Sequence, residues 1–319
     1  MSTPLIQTVN LQKYFKVSDG LLHAVDDVNI FIDKGKTLGV VGESGCGKTT
    51  LGRVILRLLP ANGGQILYDG NDILQYSKHK LRKLRKQMQI IFQDPYSSIN
   101  PRLSVSEIIA EPMRVSHMYF TNADLHKRVS ELMDTVGLAD RLKNAYPHEL
   151  DGGRRQRIGI ARALSVRPQF IVCDEPVSAL DVSIQAQILN LLMDLQDEMG
   201  LTYMFITHDL SVVKHISDDI MVMYLGQSVE QAPADELIVN PLHPYTRALL
   251  SAVQIPDLRY RTENREIIRG EVISPVNPKF GCRFVDRCPQ ARDICRNNNT
   301  SLVEHSPGHF VACTLYMDS

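Results

Sequence analysis

The sequence predicts an α/β fold built around a doubly wound parallel sheet. Short apolar runs such as Leu38–Val41 and Phe170–Cys173 are typical of strands buried in a parallel sheet. Apolar residues recur at helical spacing from Ile184 to Met199, and Gly200 marks the end of that helix. A glycine-rich stretch, residues 42–50, joins the first apolar run to a further helical pattern. Strand and helix patterns that alternate in this way predict a doubly wound α/β core.

The remaining patterns divide the chain into a core, an insertion and an extension. The predicted strands cover residues 5–11, 22–32, 37–41, 65–68, 88–92, 170–173, 203–206 and 220–224, with a turn at Asp19-Gly20. A helix-rich stretch over residues 104–164, interrupted at Pro112, Gly137 and Pro147, reads as an inserted subdomain. Prolines become frequent after residue 233. We therefore expect a first domain over residues 1–232 and a C-terminal extension over residues 233–319.

Composition excludes several classes of function. With 44% hydrophobic residues in 319, the chain can bury a large core. The net charge of −1 gives no overall field that would attract nucleic acid or anionic lipid. No apolar stretch approaches the roughly 20 residues that span a bilayer. We expect a cytoplasmic protein that is able to dock on a membrane protein.

A complete phosphate-binding loop follows the strand at residues 37–41. Its sequence is Gly42, Glu43, Ser44, Gly45, Cys46, Gly47, Lys48, Thr49 and Thr50, which matches the spacing G-x-x-x-x-G-K-[ST]. The glycines allow several backbone N–H groups to face one anion, and the following helix adds its positive end. Lys48 is expected to reach the β- and γ-phosphates and Thr49 to bind Mg²⁺. The sequence therefore predicts a nucleoside triphosphate site.

Two further motifs carry chemistry that suits such a site. Asp174 and Glu175 end a buried strand, where Asp174 is expected to hold Mg²⁺ through water and Glu175 to deprotonate an attacking water. Gly152 and Gly153 open a helix and form a second anion cradle. Two cradles in one chain suggest a nucleotide that is shared between chains.

Together with Gln93, the segment Ser178–Asp181 and His208, these motifs occur in the order of an ATP-binding-cassette ATPase. The resemblance spans residues 5–230. It implies a P-loop NTPase (RecA-like) core with an antiparallel β subdomain and an inserted α-helical subdomain. It also implies ATP hydrolysis in a head-to-tail dimer, where ATP lies between one subunit's phosphate loop and the other's signature motif.

The resemblance also implies roles for single residues. Tyr14 matches the aromatic residue that stacks on adenine, and His208 matches the histidine that contacts the γ-phosphate. Gln93 matches the residue that contacts Mg²⁺ and couples the nucleotide site to the membrane subunits. The segment Ser178–Asp181 matches the family's D-loop, which ends at Asp181. The signature motif, residues 151–154, serves the partner's nucleotide.

The signature motif departs from the family's Leu-Ser-Gly-Gly-Gln. Asp151 replaces the serine that faces the γ-phosphate, and Arg154 replaces the glutamine. A carboxylate ~4 Å from a phosphate charge costs about 4 kcal/mol at an effective dielectric of 20. Asp151 is also a good helix N-cap that Arg154 or Arg155 can neutralise. Two interpretations therefore stay open: a compensated signature that still closes on ATP, or an impaired site on the partner's phosphate loop.

Two short segments resemble the subgroup that drives dipeptide and oligopeptide importers, with nickel importers as close relatives. They are Asp94–Arg102 and Asn240–Arg247, the second containing His-Pro-Tyr-Thr. This resemblance implies a second, different ATPase subunit, two integral membrane permease subunits, an extracellular substrate-binding protein reached indirectly, and a place on the cytoplasmic face of the membrane. The alternative is a soluble cassette ATPase acting on nucleic acid or ribosomes. Such proteins usually carry two cassettes or a coiled-coil insertion, which this chain lacks.

Four of the six cysteines crowd the extension, at Cys282, Cys288, Cys295 and Cys313. Four neighbouring thiols in a cytoplasmic chain suggest a metal site rather than disulfides. The tight C-x₂₋₄-C pairs of zinc sites are absent, and ligation by cysteine alone also suits an iron–sulfur cluster. Resemblance to peptide-importer subunits with such a tail implies a 4Fe–4S cluster, with Zn²⁺ or unligated cysteines as alternatives. We expect Cys46 and Cys173 to be packing residues.

Overall fold

The structure is a computed structural model, and it describes residues 3–118, 121–252 and 274–317. Residues 253–273, which include Pro256 of the predicted extension, lie outside the described residues. The strands are β1 (Ile6–Val17), β2 (Gly20–Ile32), β3 (Thr37–Val41), β4 (Gly63–Tyr68), β5 (Asn71–Asp72), β6 (Met88–Ile91), β7 (Phe170–Asp174), β8 (Thr202–Ile206), β9 (Asp219–Tyr224), β10 (Gln227–Pro233), β11 (Val303–Ser306) and β12 (His309–Val311).

The helices alternate with these strands through most of the chain, as predicted. They are α1 (Lys48–Ile55), α2 (Lys78–Gln87), α3 (Pro95–Ser98), α4 (Val105–Val115), α5 (Asn122–Thr135), α6 (Gly152–Leu164), α7 (Val182–Met199), α8 (Leu210–Ile216), α9 (Ala234–Val239), α10 (Pro244–Ala252) and α11 (Asp293–Asn297). Within the described ranges, no helix is both long enough and apolar enough to cross a membrane.

The chain forms two compact units. The first unit contains Met1–Asp33, Thr37–Leu74 and Thr207–Ser319, and the second contains Lys34–Lys36 and Gln75–Ile206. The described part of the extension thus belongs to the same unit as the phosphate loop. The predicted domain boundary at residue 232 stays a prediction.

One sheet of the first unit is antiparallel, in the order β2-β1-β4-β5. A turn at Asp19-Gly20 joins β1 to β2, as the sequence predicted, and Val17 pairs with Gly20. Both strands are longer than expected, because the backbone pairing between them continues up to the turn. Tyr14 and His23 are directly paired across this hairpin.

The other strands of the first unit follow the order β11-β12-β10-β9-β3. β3 and β9 are parallel, and every residue of β3 is buried. β10 and β12 are antiparallel neighbours through Glu230 and Val311. The sequence did not predict β10, since its buried positions include the polar residues Glu230 and Gln231.

The second unit contains the parallel strands β6, β7 and β8, with β7 in the middle. Helices α4, α5 and α6 contact one another and occupy the predicted helix-rich stretch. The predicted interruption at Pro112 is wrong, because Pro112 lies inside α4. Its missing N–H removes one backbone hydrogen bond, and the helix ends three residues later at Val115. α7 ends at Gly200, which is left-handed (φ 63°), as predicted.

Candidate nucleotide-binding site

The phosphate loop connects β3 to α1 in the first unit, and two of its glycines are required by its conformation. Gly42 has φ 153°, and a Cβ atom there would lie 2.2 Å from the carbonyl oxygen of Met223. Gly47 has φ 109°, and a Cβ atom there would lie 2.0 Å from the carbonyl oxygen of Ala24. No other residue fits these positions without moving the backbone.

Lys48 begins α1 and folds back across the loop. Its Nζ donates hydrogen bonds to the carbonyl oxygens of Gly42 (2.8 Å) and Glu43 (3.0 Å), and the side chain is buried. Cys46 is buried beside it, and this burial raises the pKa of the thiol, consistent with a packing role. The loop therefore surrounds a buried ammonium group.

The rest of the phosphate loop is more accessible to solvent. His208 lines the same cavity as Gly42, the first glycine of the loop. Ser44 and Gly45 are exposed, while Thr49 and Thr50 are half-buried. A cavity of about 410 Å³ is lined by both Gly42 and the exposed His208. The structure thus brings His208 to the start of the phosphate loop.

Tyr14 lies on β1 in a polar cluster of the first unit. Its ring centroid is 4.2 Å from that of His23, and its hydroxyl donates a hydrogen bond to Asp26 Oδ1. His23 Nδ1 lies 2.9 Å from Asp26 Oδ2. Burial and the bond to Asp26 raise the pKa of the Tyr14 phenol, so it stays a neutral donor. Burial alone would raise the pKa of Asp26, but hydrogen bonds from Tyr14 and His23, together with Arg283, lower it.

The acidic pair of the second unit follows β7. Asp174 ends the strand and is buried. Glu175 has the left-handed φ of 48°, which is uncommon for a residue with a side chain. Its N–H donates to the carbonyl oxygen of Ile206 (2.9 Å), and Gln93 Nε2 donates to its Oε2 (2.8 Å). Backbone strain of this kind persists only where the surroundings enforce it and is concentrated at functional sites.

The signature motif forms the start of α6, and Asp151 is its N-cap residue, as predicted. Asp151 Oδ1 accepts a hydrogen bond from the Arg154 N–H (2.8 Å). Arg154 Nε lies 3.4 Å from Asp151 Oδ2, and both side chains are exposed. Arg155 instead donates to the carbonyl oxygen of Leu150. Arg154 is therefore the residue placed to neutralise Asp151.

The signature glycines allow α6 to approach the D-loop closely within the second unit. A Cβ atom at Gly153 would lie 2.8 Å from Ile184 Cγ2, and one at Gly152 would lie 3.1 Å from Leu180 Cδ2. The exposed Asp181 is the N-cap residue of α7. The structure thus brings the signature and D-loop segments together.

Three contacts of the loop and the Tyr14 cluster come from the extension and were not predicted. The Glu43 N–H donates to the hydroxyl of Tyr245 (2.9 Å), and Arg287 pairs with the Glu43 carboxylate. Arg283 pairs with Asp26. Tyr245 belongs to the His-Pro-Tyr-Thr segment, which resembles a segment of peptide-importer ATPases and could have drawn attention to this residue. No pattern in the sequence indicates the two arginines.

The four cysteines of the extension form no disulfide bond. Cys295 and Cys313 are buried, Cys282 and Cys288 are half-buried, and the Cys282 N–H donates to the Cys295 carbonyl oxygen (2.8 Å). Burial raises the pKa of Cys282 to about 11, and the other three thiols contribute to this rise. In the part of the chain that the structure describes, no three His, Cys, Asp or Glu side chains are placed to hold a metal ion.

Sequence models of two families match the chain. The ABC transporter model matches residues 25–178, which include the phosphate loop, Gln93, the signature motif and the acidic pair. The model described as the oligopeptide/dipeptide transporter C-terminal region matches residues 229–295.

Individual proteins are similar over nearly the whole length. The oligopeptide transport ATP-binding protein AppF of Bacillus subtilis is 50% identical over 321 residues, covering 98% of this chain and 97% of that protein. OppF of Salmonella typhimurium, with the same description, is 50% identical over 319 residues, covering 97% and 95%.

Solved structures agree with this similarity. The ATP-binding cassette MJ0796, in a dimeric post-hydrolysis state with ADP and Pi, has a TM-score of 0.66 at 28% identity and covers 72% of this chain and 98% of that chain. CbiO1 of Clostridium perfringens, part of the ABC transporter complex CbiONQ, has a TM-score of 0.67 at 29% identity, covering 75% and 92%. The predicted fold class and ATP hydrolysis are confirmed. The chain therefore belongs to the ABC transporter ATPases, in the group that carries the oligopeptide/dipeptide transporter C-terminal region.

Proposed function

We propose that this chain is the ATP-hydrolysing subunit that energises the import of dipeptides and oligopeptides through an ABC transporter. The observation that carries the proposal is the 50% identity to oligopeptide transport ATP-binding proteins over almost all of both chains. It includes the extension, whose own family description names oligopeptide and dipeptide transport.

In this proposal, the first unit binds the nucleotide. The backbone of residues 42–50 and the ammonium of Lys48 hold the phosphates, since Lys48 already lies buried within the loop. Tyr14 stacks on adenine, and His208 contacts the γ-phosphate from the cavity that it shares with Gly42. Thr49, at the start of α1, supplies a hydroxyl to Mg²⁺.

The second unit supplies the hydrolytic groups. Asp174 and Gln93 bind Mg²⁺, and Glu175 deprotonates the attacking water. The hydrogen bond from Gln93 to Glu175 supports this assignment, because it holds the carboxylate in one orientation. When bound by these residues, Mg²⁺ would neutralise negative charge on the phosphates.

We propose a heterodimer, in which the signature motif of this chain contacts the nucleotide of a second ATPase subunit of different sequence. Gly152 and Gly153 pack against Leu180 and Ile184 beside the exposed Asp181, and we assign this part of the second unit to the partner's nucleotide. The Asp151 carboxylate is exposed and only partly compensated by Arg154, at 3.4 Å. This favours an impaired site on the partner's phosphate loop, with the hydrolytic residues of this chain intact.

The remaining partners follow from the transporter. Two integral membrane permease subunits receive the ATP-driven movement, and an extracellular substrate-binding protein delivers the peptide to them. The chain then lies on the cytoplasmic face of the membrane. Nucleic acid has no place in this assembly.

We propose further that Cys282, Cys288, Cys295 and Cys313 hold a 4Fe–4S cluster. The donor chemistry fits, since four cysteines outside any disulfide lie in one small extension and cysteine-only ligation suits such clusters. The described side chains do not converge on a metal position, so the proposal rests on the donor set. Iron and acid-labile sulfide in stoichiometric amounts after anaerobic purification would support it. Zn²⁺ without sulfide, or metal-free protein, would contradict it.

Transport itself tests the proposed function. Proteoliposomes should contain this chain, its partner ATPase, both permeases and the binding protein, with ATP enclosed on the cytoplasmic side. We expect uptake of radiolabelled di- and oligopeptides, its loss with Glu175→Gln, and its retention with the exposed control Arg296→Gln. Uptake of nickel chelates without peptide uptake would identify a nickel importer and contradict the proposal.

A further inference from the structure

The segment Cys282–Cys288 of the extension contacts both ends of the proposed nucleotide site. We propose that this segment, through Arg287 and Arg283, positions the nucleotide-binding groups of the first unit. Arg287 fixes and neutralises Glu43 of the phosphate loop, and Arg283 fixes Asp26, which accepts the hydroxyl hydrogen bond of Tyr14. This inference rests on the proposed role of the phosphate loop and Tyr14 in binding ATP.

Arg287 and Glu43 form a two-pronged ion pair. Nη1 of Arg287 lies 2.7 Å from Glu43 Oε2, and Nη2 lies 3.0 Å from Oε1. The Arg287 side chain is 6% exposed and that of Glu43 is 23% exposed. Paired planar groups of this kind hold both partners in one orientation. Tyr245 adds a third constraint, since its hydroxyl accepts the Glu43 N–H.

The chemical need for this pair comes from the position of Glu43. It is the second residue of the phosphate loop, so its carboxylate lies close to where a triphosphate binds. An uncompensated carboxylate there would repel the phosphates, and a buried charge without its partner is costly. Arg287 cancels this charge and draws the side chain toward the extension.

Arg283 acts on the other end of the site. Its guanidinium bonds to the carboxylate of Asp26 and to the carbonyl oxygen of Leu225. Asp26 in turn accepts the hydroxyl hydrogen bond of Tyr14. Arg283 thereby limits the positions that the Tyr14 ring can take.

The segment is anchored well enough to exert this constraint. Phe284 lies between the two arginines and is 2% exposed. Its ring centroid is 5.2 Å from that of Tyr224 and 5.3 Å from that of Tyr245. The Arg287 N–H donates to the Phe284 carbonyl oxygen, which places both arginines on one short turn.

Nucleotide binding by the full chain, measured by titration calorimetry with Mg-ATP and Mg-ADP, tests the proposal. We expect Arg287→Gln to weaken ATP binding about tenfold, because Glu43 is left unpaired near the phosphates, and to weaken ADP binding less. The double variant Glu43→Gln with Arg287→Gln should recover most of the lost ATP affinity. Arg283→Gln should weaken ATP and ADP binding equally, since it acts at the adenine end. Arg296→Gln, from an exposed ion pair with Asp286, is the matched control and should change neither.

Three results separate the possible failures. Wild-type ATP affinity in Arg287→Gln would overturn the proposal, and so would a double variant that binds ATP no better than the single one, because the proposal attributes the lost affinity to the uncompensated charge of Glu43. Arg287→Lys keeps the charge, and its ATP affinity should lie between those of the wild type and Arg287→Gln. This variant replaces Arg287→Gln in the test if thermal melting shows Arg287→Gln to be unfolded. Lys48→Ala tests the phosphate loop itself, and unchanged ATP affinity there would refute the proposed nucleotide site rather than the role of the arginines.

Discussion

Gln93 and Glu175 are joined by a hydrogen bond of 2.8 Å from the amide Nε2 of Gln93 to Oε2 of the carboxylate. The two residues follow neighbouring parallel strands, β6 and β7. Glu175 is also held in a left-handed conformation. Two constraints, one on its backbone and one on its side chain, therefore fix the carboxylate that we assign as the base.

Shortening Gln93 should separate base orientation from nucleotide binding. We expect Gln93→Asn to lower the kcat of ATP hydrolysis, because the shorter amide cannot reach Glu175. The expected loss is about tenfold, which is small for a change that affects an acid–base group. The dissociation constant for ATP, measured without Mg²⁺, should change less than about twofold, since Gln93 is assigned to the metal and to Glu175 and not to the phosphates. Steady-state ATPase assays and calorimetry measure both quantities. A large loss of ATP affinity with unchanged kcat would contradict the role assigned to the hydrogen bond.

Asp151 decides what this chain contributes to its partner. Asp151→Ser keeps a good N-cap for α6 and removes the carboxylate, so the helix should remain intact. If the charge impairs the partner's site, we expect the ATPase rate of the heterodimer to rise about twofold, because a second site becomes active. Asp151→Ala is the control for lost capping, and it should lower stability by about 1 kcal/mol. An unchanged rate with Asp151→Ser would show that Arg154 already compensates the charge.

His243 predicts a pH dependence of the stability of the extension. Burial lowers the pKa of His243 to about 4, and the Tyr245 N–H donates to its Nδ1 at 3.1 Å, which requires a neutral ring. The unfolded chain binds this proton near pH 6.5, so stability falls as the pH drops from about 6.5 toward 4. The loss from this group approaches about 3 kcal/mol by pH 4.

Denaturant unfolding at several pH values measures this effect. His243→Asn keeps an acceptor for Tyr245 but cannot be protonated, so its stability should fall less steeply below pH 6.5 than that of the wild type. Parallel pH profiles for the two proteins would contradict the assignment of His243 as a buried neutral group.

The sequence predicted features that depend on local residue order. The phosphate loop was found because its glycines and Lys48 lie within nine residues, and the conformations of Gly42 and Gly47 account for that spacing. The cap at Asp151 was predicted for the same reason. The parallel core was predicted because strands such as β7 are apolar on both faces.

Features that depend on distant contacts were not predictable from the sequence. Tyr245 and Arg287 reach Glu43 across 202 and 244 positions, and nothing local to either residue indicates the contact. β10 was missed because Glu230, buried in its centre, reads as a surface residue. Its carboxylate is compensated by the backbone N–H groups of Leu242 and His243 and by His309, at 2.7, 2.9 and 2.8 Å.

The central claim is that this chain hydrolyses ATP at its own phosphate loop with Glu175 as the base. Glu175→Gln tests it most directly, because the amide retains the size of the side chain but cannot accept the proton. In the assembled heterodimer, with ATPase activity and ATP affinity measured on the same preparation, we expect the rate to fall about 10²- to 10⁴-fold while ATP binding is retained. A Glu175→Gln protein that binds ATP and hydrolyses it at the wild-type rate would contradict the account.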